Sequence, residues 1–215
     1  MALPALYAEE SLLDKDWYTE DEYFALDERS NDRWEFLPAG PPNVDGSRLG
    51  RIRAMSGGTL DHSAIAGNLV TALNNALRGA GIRTCRVFGS DVKIHLLEGH
   101  NTYPDMSVVC GRPDLYWKRR DIFTNPIFIA EVLSPSTEAH DRNKKWASYQ
   151  TIPTLQHYLL VTTDRARVEL YTREGGGWRL EVWEGLEAEL PLPALGVTLA
   201  VADLYALVDF ESATP

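Results

Sequence analysis

Two acidic residues lie inside apolar segments of strand length, where carboxylates are uncommon. Asp105 belongs to the run Tyr-Pro-Asp-Met-Ser-Val-Val-Cys, and Glu131 belongs to Ile-Phe-Ile-Ala-Glu-Val-Leu. Two carboxylates brought together repel, and a divalent metal ion is the simplest compensation. Mg²⁺ takes such hard oxygen ligands, with waters completing its shell. The pair therefore indicates a Mg²⁺ site, whereas either acid alone is more typical of a solvated strand end or of a partner for an arginine.

A basic helix is predicted to start near Asp141, after the second acid. Residues four apart share a helix face, so Asp141, Lys145 and Tyr149 form one stripe. Lys144 lies on a face that is expected to be exposed. If one lysine reaches inward toward the sheet, Lys145 is the better candidate. The alternative is an ordinary surface ion pair between Asp141 and Lys145, worth only a few tenths of a kcal/mol.

The elements that position these residues begin with two helices and two strands. Thr19 followed by Glu22 fits a capping box and predicts a short helix through about Asp27. Strands are predicted at Arg33–Leu37 and Leu49–Met55. A second helix is predicted between Asp61 and Gly79, because apolar residues recur there in steps of four. These residues are Ile65, Leu69, Leu73 and Leu77.

Strand patterns dominate the chain from Cys85 onward. Arg86–Phe88 and Val92–Leu96 are predicted as a strand pair, followed by strands at Tyr103–Cys110, Ile127–Leu133 and Gln156–Thr163. The helical stretch His140–Thr151 between the last two makes a βαβ unit. Arg167–Arg173 and Trp178–Trp183 are predicted to form an antiparallel hairpin, and Ala202–Val208 a closing helix. The sequence therefore predicts an α/β fold with a mixed sheet, in one domain with a core at about residues 18–185.

The charge of the chain is unevenly distributed. The net charge of −10 argues against a nucleic-acid partner, but residues 37–173 carry 12 acidic and 17 basic residues, a net charge of +5. Acidic flanks surround this basic centre, with −8 in residues 1–36 and −7 in residues 174–215. Such a centre can bind phosphate on one face. A chance fluctuation of charge along the chain is an equally good reading of the composition.

Composition and motifs exclude several classes of protein. A hydrophobic content of 44% is ordinary for a globular protein with a core. We expect no signal peptide and no membrane span, and hence a cytoplasmic protein. Cys85 and Cys110 match neither a CxxC motif nor a disulfide framework. No dinucleotide, P-loop or nucleophile-elbow motif is present, and the five histidines lack zinc-site spacing.

These residues together resemble a known family. Pro104-Asp105, the segment Glu131-Val-Leu-Ser-Pro-Ser-Thr137, and then Asp141, Lys145 and Tyr149 are similar to the Uma-type restriction endonucleases of the PD-(D/E)XK nuclease superfamily. The resemblance covers about residues 18–175 and includes the segments Tyr18–Tyr23, Arg33–Leu37 and Asp61-His62. It implies a restriction-endonuclease-like core, a mixed sheet flanked by helices.

The resemblance also implies the members of an active site. Asp105 and Glu131 would hold Mg²⁺, with Mn²⁺ as a substitute and with the Val132 carbonyl as a further ligand. Glu35 would join the site, although by itself an acid between Trp34 and Phe36 usually faces water. The superfamily motif places a lysine two residues after the glutamate, where this chain has leucine. In this family the lysine is displaced onto the following helix, which matches Lys145.

The activity that this resemblance implies is metal-dependent hydrolysis of phosphodiester bonds, with DNA as the expected partner. The cations Lys118, Arg119 and Arg120, in a segment mixed with aromatic residues, could grip a phosphate backbone, although a solvated loop is as good a reading. A homodimer is expected because the superfamily often pairs two sites for two strands. The alternative function is a catalytically silent module that binds nucleic acid or protein and retains the nuclease fold.

Overall fold

The computed structural model describes residues 15–55, 57–135 and 137–210. These residues form two compact units that alternate along the chain. The first unit holds the residues up to Gly57 together with His95–Thr102, and the second holds Gly58–Ile94 and the residues from Tyr103 onward. The expected single domain stays a prediction.

The first unit begins with the predicted capping box. In β1 (Tyr18–Thr19), the Thr19 hydroxyl accepts a hydrogen bond from Glu22 N, and the Glu22 carboxylate accepts one from Thr19 N. Helix α1 (Glu20–Asp27) follows. Two free amides are thus satisfied at its first turn, which explains why the helix starts here.

Antiparallel pairings connect the strands of the first unit. These strands are β1, β2 (Trp34–Pro38), β3 (Leu49–Ala54) and β6 (Asn101–Thr102). β3 pairs with both β1 and β2, and β2 also pairs with β6. The register of β2 and β3 places Glu35 opposite Arg53. Both strands lie within two residues of the predicted boundaries.

The second unit begins with the long predicted helix, α2 (Leu60–Gly79). Its buried residues are Ile65, Leu69, Ala72, Leu73 and Leu77. After the helix, Gly81 has a left-handed backbone with φ of 75°. The amides of Gly81 and Ile82 donate to the carbonyls of Arg78 and Leu77, which completes a glycine-terminated helix end.

A six-stranded mixed sheet forms the centre of the second unit. Its strands are β4 (Cys85–Gly89), β7 (Met106–Cys110), β9 (Phe128–Val132), β10 (His157–Val161), β11 (Arg167–Glu174) and β12 (Gly177–Glu184). They lie in the order β12-β11-β10-β9-β7-β4. β9 and β10 are parallel, and the other neighbours are antiparallel. The predicted α/β class with a mixed sheet is therefore confirmed.

A helical connection joins the two parallel strands. It consists of α3 (Glu138–His140), a π-helical turn (Asp141–Lys145) and α4 (Trp146–Tyr149), which follow one another directly. We call this connection segment 138–149. The predicted strand–helix–strand unit is confirmed, and the π-helical turn is the feature that the composition did not indicate.

The two faces of this sheet differ in character. Ala130 and Val132 of β9 belong to the apolar core that also contains Leu69 and Leu73 of α2. Successive side chains of a strand point to opposite faces. Glu131 therefore lies on the face opposite the one that packs on α2.

The predicted pairing of the strands near residues 86 and 92 is wrong. β4 pairs antiparallel with β7, whereas β5 (Lys93–His95) pairs parallel with β8 (Ile122–Phe123). The short connection between β4 and β5 favours a hairpin of these two strands. Instead, β4 pairs with β7 over five residues and belongs to the large sheet. Strand pairing depends on such contacts between distant segments, which a local pattern does not contain.

The expectation that the two cysteines form no disulfide is also wrong. Cys85 and Cys110 are joined by a disulfide bond, and neither is free. They are paired in the register of β4 and β7, although 25 positions separate them in sequence. Only the strand pairing brings them together.

The last part of the chain adds two hairpins and a short helix. β11 and β12 form the predicted hairpin. The hairpin of β13 (Glu189–Leu192) and β14 (Val197–Ala200) was not predicted. Helix α5 (Val201–Leu204) is shorter than the predicted closing helix. Within the described ranges, no helix combines the length and the hydropathy that a membrane span requires.

Candidate active site

Glu131 is a buried carboxylate at the centre of the proposed site. It is only 2% exposed, in a strand whose five residues are all buried. Its Oε1 accepts hydrogen bonds from Lys145 Nζ at 2.9 Å and from the Tyr149 hydroxyl at 2.8 Å. Within the described part of the chain, no hydrogen bond reaches the other oxygen, Oε2. One carboxylate oxygen is thus fixed by two donors, and the second remains for another ligand.

Segment 138–149 supplies both of these donors. Lys145 Nζ also lies 3.3 Å from Asp141 Oδ1, and both side chains are buried. The predicted stripe of Asp141, Lys145 and Tyr149 is therefore confirmed, and the alternative of a solvated surface pair is wrong. Lys144 is exposed, as expected.

Asp105 lies at a bend one residue before β7, beside the end of β9. Its Oδ2 accepts a hydrogen bond from Val132 N at 2.8 Å. Because Val132 directly follows Glu131, this bond brings the two predicted metal ligands to adjacent positions. No described residue makes a hydrogen bond to Asp105 Oδ1. The Val132 carbonyl as a ligand stays a prediction.

His62 is a member of this cluster that the residue patterns did not indicate. It lies in the first turn of α2, and its Nε2 is 3.2 Å from Asp105 Oδ2. The hydrogen bond with Asp105 raises the pKa of His62, against a lowering by burial. His62 is part of the segment that resembles the family, but its spacing from the other histidines does not indicate a site.

The electrostatics of the cluster are dominated by buried negative charge. Burial is the main cause that raises the pKa of Glu131 to about 8. The charges of Asp141 and Asp105 raise this pKa further, and Lys145 opposes them. Glu131 and Asp141 share one buried lysine, with Asp105 nearby, and an additional cation would favour the charged form of Glu131.

The donor set fits a hard divalent cation of the Mg²⁺ type. Asp105 and Glu131 each present one carboxylate oxygen outside the hydrogen bonds described above. Among the described residues, no group of three or more His, Cys, Asp or Glu side chains is arranged to hold a metal ion. Mg²⁺ is commonly held by one or two carboxylates and keeps several waters, so two carboxylates suffice for it.

Aromatic and ionic contacts hold segment 138–149 against the sheet. Trp146 stacks on Tyr158 with ring centroids 5.1 Å apart, and the Tyr158 hydroxyl donates to Asp141 O at 3.1 Å. Arg142 makes a bidentate pair with Glu169 of β11, with distances of 2.6 and 3.0 Å. These contacts fix the helical turn that presents Lys145, and no sequence spacing indicated them.

Glu35 belongs to the first unit and is fully buried there. Its Oε2 accepts hydrogen bonds from Arg53, and its Oε1 accepts one from the Thr102 hydroxyl. The reading of Glu35 as an acid that faces water is therefore wrong, because Arg53 on the neighbouring strand compensates its charge. Its role at the metal site stays a prediction.

The predicted nucleic-acid contacts divide into two environments. Lys118 and Arg120 are exposed. Arg119 is partly buried and pairs with Asp121 at 3.1 Å, and Lys93 pairs with the same carboxylate at 3.0 Å. Arg119 is thus partly neutralised, and the binding of nucleic acid by these residues stays a prediction.

Comparison with known proteins supports the family resemblance. The model of the family described as "Uma2: Putative restriction endonuclease" matches residues 21–202. Two uncharacterized proteins of Synechocystis sp. (strain ATCC 27184 / PCC 6803 / Kazusa) are similar to the chain. One, slr1290, is 35% identical over 187 residues, 86% of this chain and 90% of that protein. The other, sll1609, is 32% identical over 174 residues, 80% of this chain and 90% of that protein.

A solved structure shares the fold. The crystal structure of a putative nuclease belonging to DUF820 from Anabaena variabilis ATCC 29413 superposes with a TM-score of 0.66. The two sequences are 23% identical, and the match covers 89% of this chain and 99% of that one. With the family match over most of its length, this chain belongs to the Uma2 family of restriction-endonuclease-like proteins.

Proposed function

We propose that this protein is a Mg²⁺-dependent endonuclease that hydrolyses phosphodiester bonds in DNA. The observation that carries the proposal is the buried group in which Lys145 and Tyr149 donate to Glu131 beside Asp105. A buried lysine next to two carboxylates with free oxygens is the set of groups that metal-assisted phosphodiester hydrolysis needs. The family description and the name of the Anabaena protein support the same class of activity.

Asp105 and Glu131 would hold Mg²⁺, with the Val132 carbonyl as a third ligand and Mn²⁺ as a substitute ion. When bound, the ion supplies Lewis-acid activation of the phosphate and a water of lowered pKa. Tyr149 and Lys145 fix Glu131 Oε1, which leaves Oε2 for the ion. Val132 N and His62 fix Asp105 Oδ2 in the same way.

Lys145 has a second task in this mechanism. Its ammonium is anchored between Asp141 and Glu131, so it stays beside the carboxylate that holds the ion. From there it orients the attacking water and stabilises the negative charge that develops on the phosphate. Because the lysine is already fixed before the substrate binds, little reorganisation is needed during the reaction.

Single-turnover cleavage of duplex DNA in Mg²⁺ tests this proposal. Lys145→Ala should lower the cleavage rate by about a hundredfold or more, the usual effect of removing one donor that stabilises transition-state charge. The matched control is Lys144→Ala, which removes an exposed lysine from the adjacent position and should change the rate by less than about twofold. Thermal melts of both variants establish that they fold.

Two outcomes would contradict the proposal. Full activity of Lys145→Ala would remove Lys145 from the mechanism. A parent protein that binds DNA but cleaves neither DNA nor RNA with Mg²⁺ or Mn²⁺ would instead favour the silent binding module. The homodimer and the cytoplasmic location stay predictions.

A further inference from the structure

We propose that an arginine-lined cavity of the second unit binds one nucleotide of the substrate strand. Arginines would take its phosphate, and an apolar floor would take its base. The inference rests on the proposed nuclease function, to which it adds a binding subsite. The cavity has a volume of about 410 Å³, within the range of small-ligand sites.

The lining of the cavity is both cationic and apolar. Arg86, Arg112 and Arg120 contribute to it, and none of the lining residues is acidic. Phe88 and Phe123 also line it, with ring centroids 5.5 Å apart, and Phe88 is the more exposed of the two. Three arginines and an accessible aromatic ring in one lining match a ligand that carries both an anion and a flat ring. A nucleotide has this chemistry, whereas a free phosphate would leave the apolar floor unused.

The charges of these arginines are available to a ligand. Arg86 Nη1 donates to the carbonyl of Gly111 at 2.9 Å, which positions the guanidinium without neutralising it. Arg112 and Arg120 make no ion pair with any described residue. The neighbouring carboxylate of Asp121 is already paired with Lys93 and Arg119. The cavity therefore concentrates positive charge that the described residues leave uncompensated.

The loop that presents Arg112 is held in place by hydrogen bonds. Asn125 Nδ2 donates to the carbonyl of Arg112 at 3.0 Å, and Asn125 Oδ1 accepts from Asp114 N at 2.8 Å. Thr124 N also donates to the carbonyl of Asp114 at 3.0 Å. A loop that is ordered before binding costs less conformational entropy when the ligand arrives.

The strand register places the cavity on the same face of the sheet as the candidate active site. Phe88 is paired with Ser107, and Ser107 is paired with Ile129. Paired residues share a face, and so do residues two apart in one strand, so Phe88 lies on the face of Glu131.

Binding without metal tests the subsite separately from catalysis. The probe is a fluorescein-labelled single-stranded DNA of twelve nucleotides in EDTA, followed by anisotropy over a range of salt concentrations. The double variant Arg112→Ala/Arg120→Ala should bind about tenfold or more weakly. The slope of log K against log salt should fall in magnitude by about 0.7, since the arginines contact one phosphate and each phosphate neutralised on a single strand contributes about 0.7.

Two further variants distinguish contacts with the base from contacts with the phosphate. Phe88→Ala should weaken binding without changing the salt slope, because stacking releases no counterions. Arg78→Ala, an exposed arginine in the last turn of α2, is the matched control and should leave both quantities unchanged. Competition by free 5′-dAMP would indicate an isolated nucleotide as a ligand, and competition only by oligonucleotides would indicate the strand.

The proposal is overturned if the double variant keeps the affinity and the salt slope of the parent protein. Thermal melts exclude unfolding as the cause of any loss. Failure of the nuclease proposal would appear as binding without cleavage, with the arginine effects intact. Failure of the subsite proposal would appear as cleavage and binding that are the same in the Arg112→Ala/Arg120→Ala variant as in the parent protein. The two results are therefore distinguishable.

Discussion

The carboxylate of Glu131 should destabilise the metal-free protein at high pH. Burial and the charges of Asp141 and Asp105 raise its pKa from the ordinary 4.5 to about 8. Between pH 4.5 and about 8, Glu131 releases its proton in the unfolded chain but retains it in the native state. The free energy of unfolding therefore decreases as pH rises through this range. The difference between the two pKa values is about 3.5, and each pKa unit corresponds to about 1.36 kcal/mol. The ionised carboxylate therefore lowers the free energy of unfolding by about 5 kcal/mol at most.

Glu131→Gln should remove this cost, because the amide keeps the shape of the carboxyl group without its charge. This cost is net of the attraction of Lys145, because the pKa of about 8 already includes the opposing effect of that lysine. We expect a stabilisation of at most about 5 kcal/mol at pH 9, which decreases as pH falls and vanishes near pH 5. Stability would rise while cleavage is lost, as expected for a charge retained for function.

Urea denaturation in EDTA at several pH values measures this effect. Glu187→Gln is the matched control, because Glu187 is exposed and the same substitution there should change stability by less than about 0.5 kcal/mol at every pH. A Glu131→Gln protein that is less stable than the parent at pH 9, or whose stability difference does not depend on pH, would refute the reasoning.

Two other predictions concern the displaced lysine and the disulfide bond. Leu133 is buried directly after β9, two positions from Glu131, so Leu133→Lys in the Lys145→Ala background should restore part of the cleavage rate in the single-turnover assay. A double variant that melts like the parent yet remains inactive would show that position 133 does not place an ammonium beside Glu131. The double substitution Cys85→Ser/Cys110→Ser should lower the free energy of unfolding by about 3 kcal/mol, because the bond closes a loop over a separation of 25 residues. Urea denaturation of the oxidised parent and the variant measures this loss, and equal midpoints would contradict it.

Local patterns were sufficient for most of the elements. The capping box at Thr19 and the apolar stripe of α2 depend on residues three or four positions apart, and both occur as predicted. The inward position of Lys145 followed from helical periodicity in the same way. Asp105 and Glu131 could be selected as candidate site residues because each is an acidic residue in an apolar run, which the sequence shows directly. A charge in an apolar strand requires a compensating partner.

The tertiary structure alone decided which distant segments meet. The pairing of β4 with β7, the Cys85–Cys110 bond that depends on it and the contact of His62 with Asp105 join residues separated by dozens of positions. The burial of Glu35 against Arg53 and the arginine-lined cavity also depend on contacts between residues that are distant in sequence. Periodicity shows which face of an element is apolar, but the partner of that face is chosen by packing and register over the whole chain.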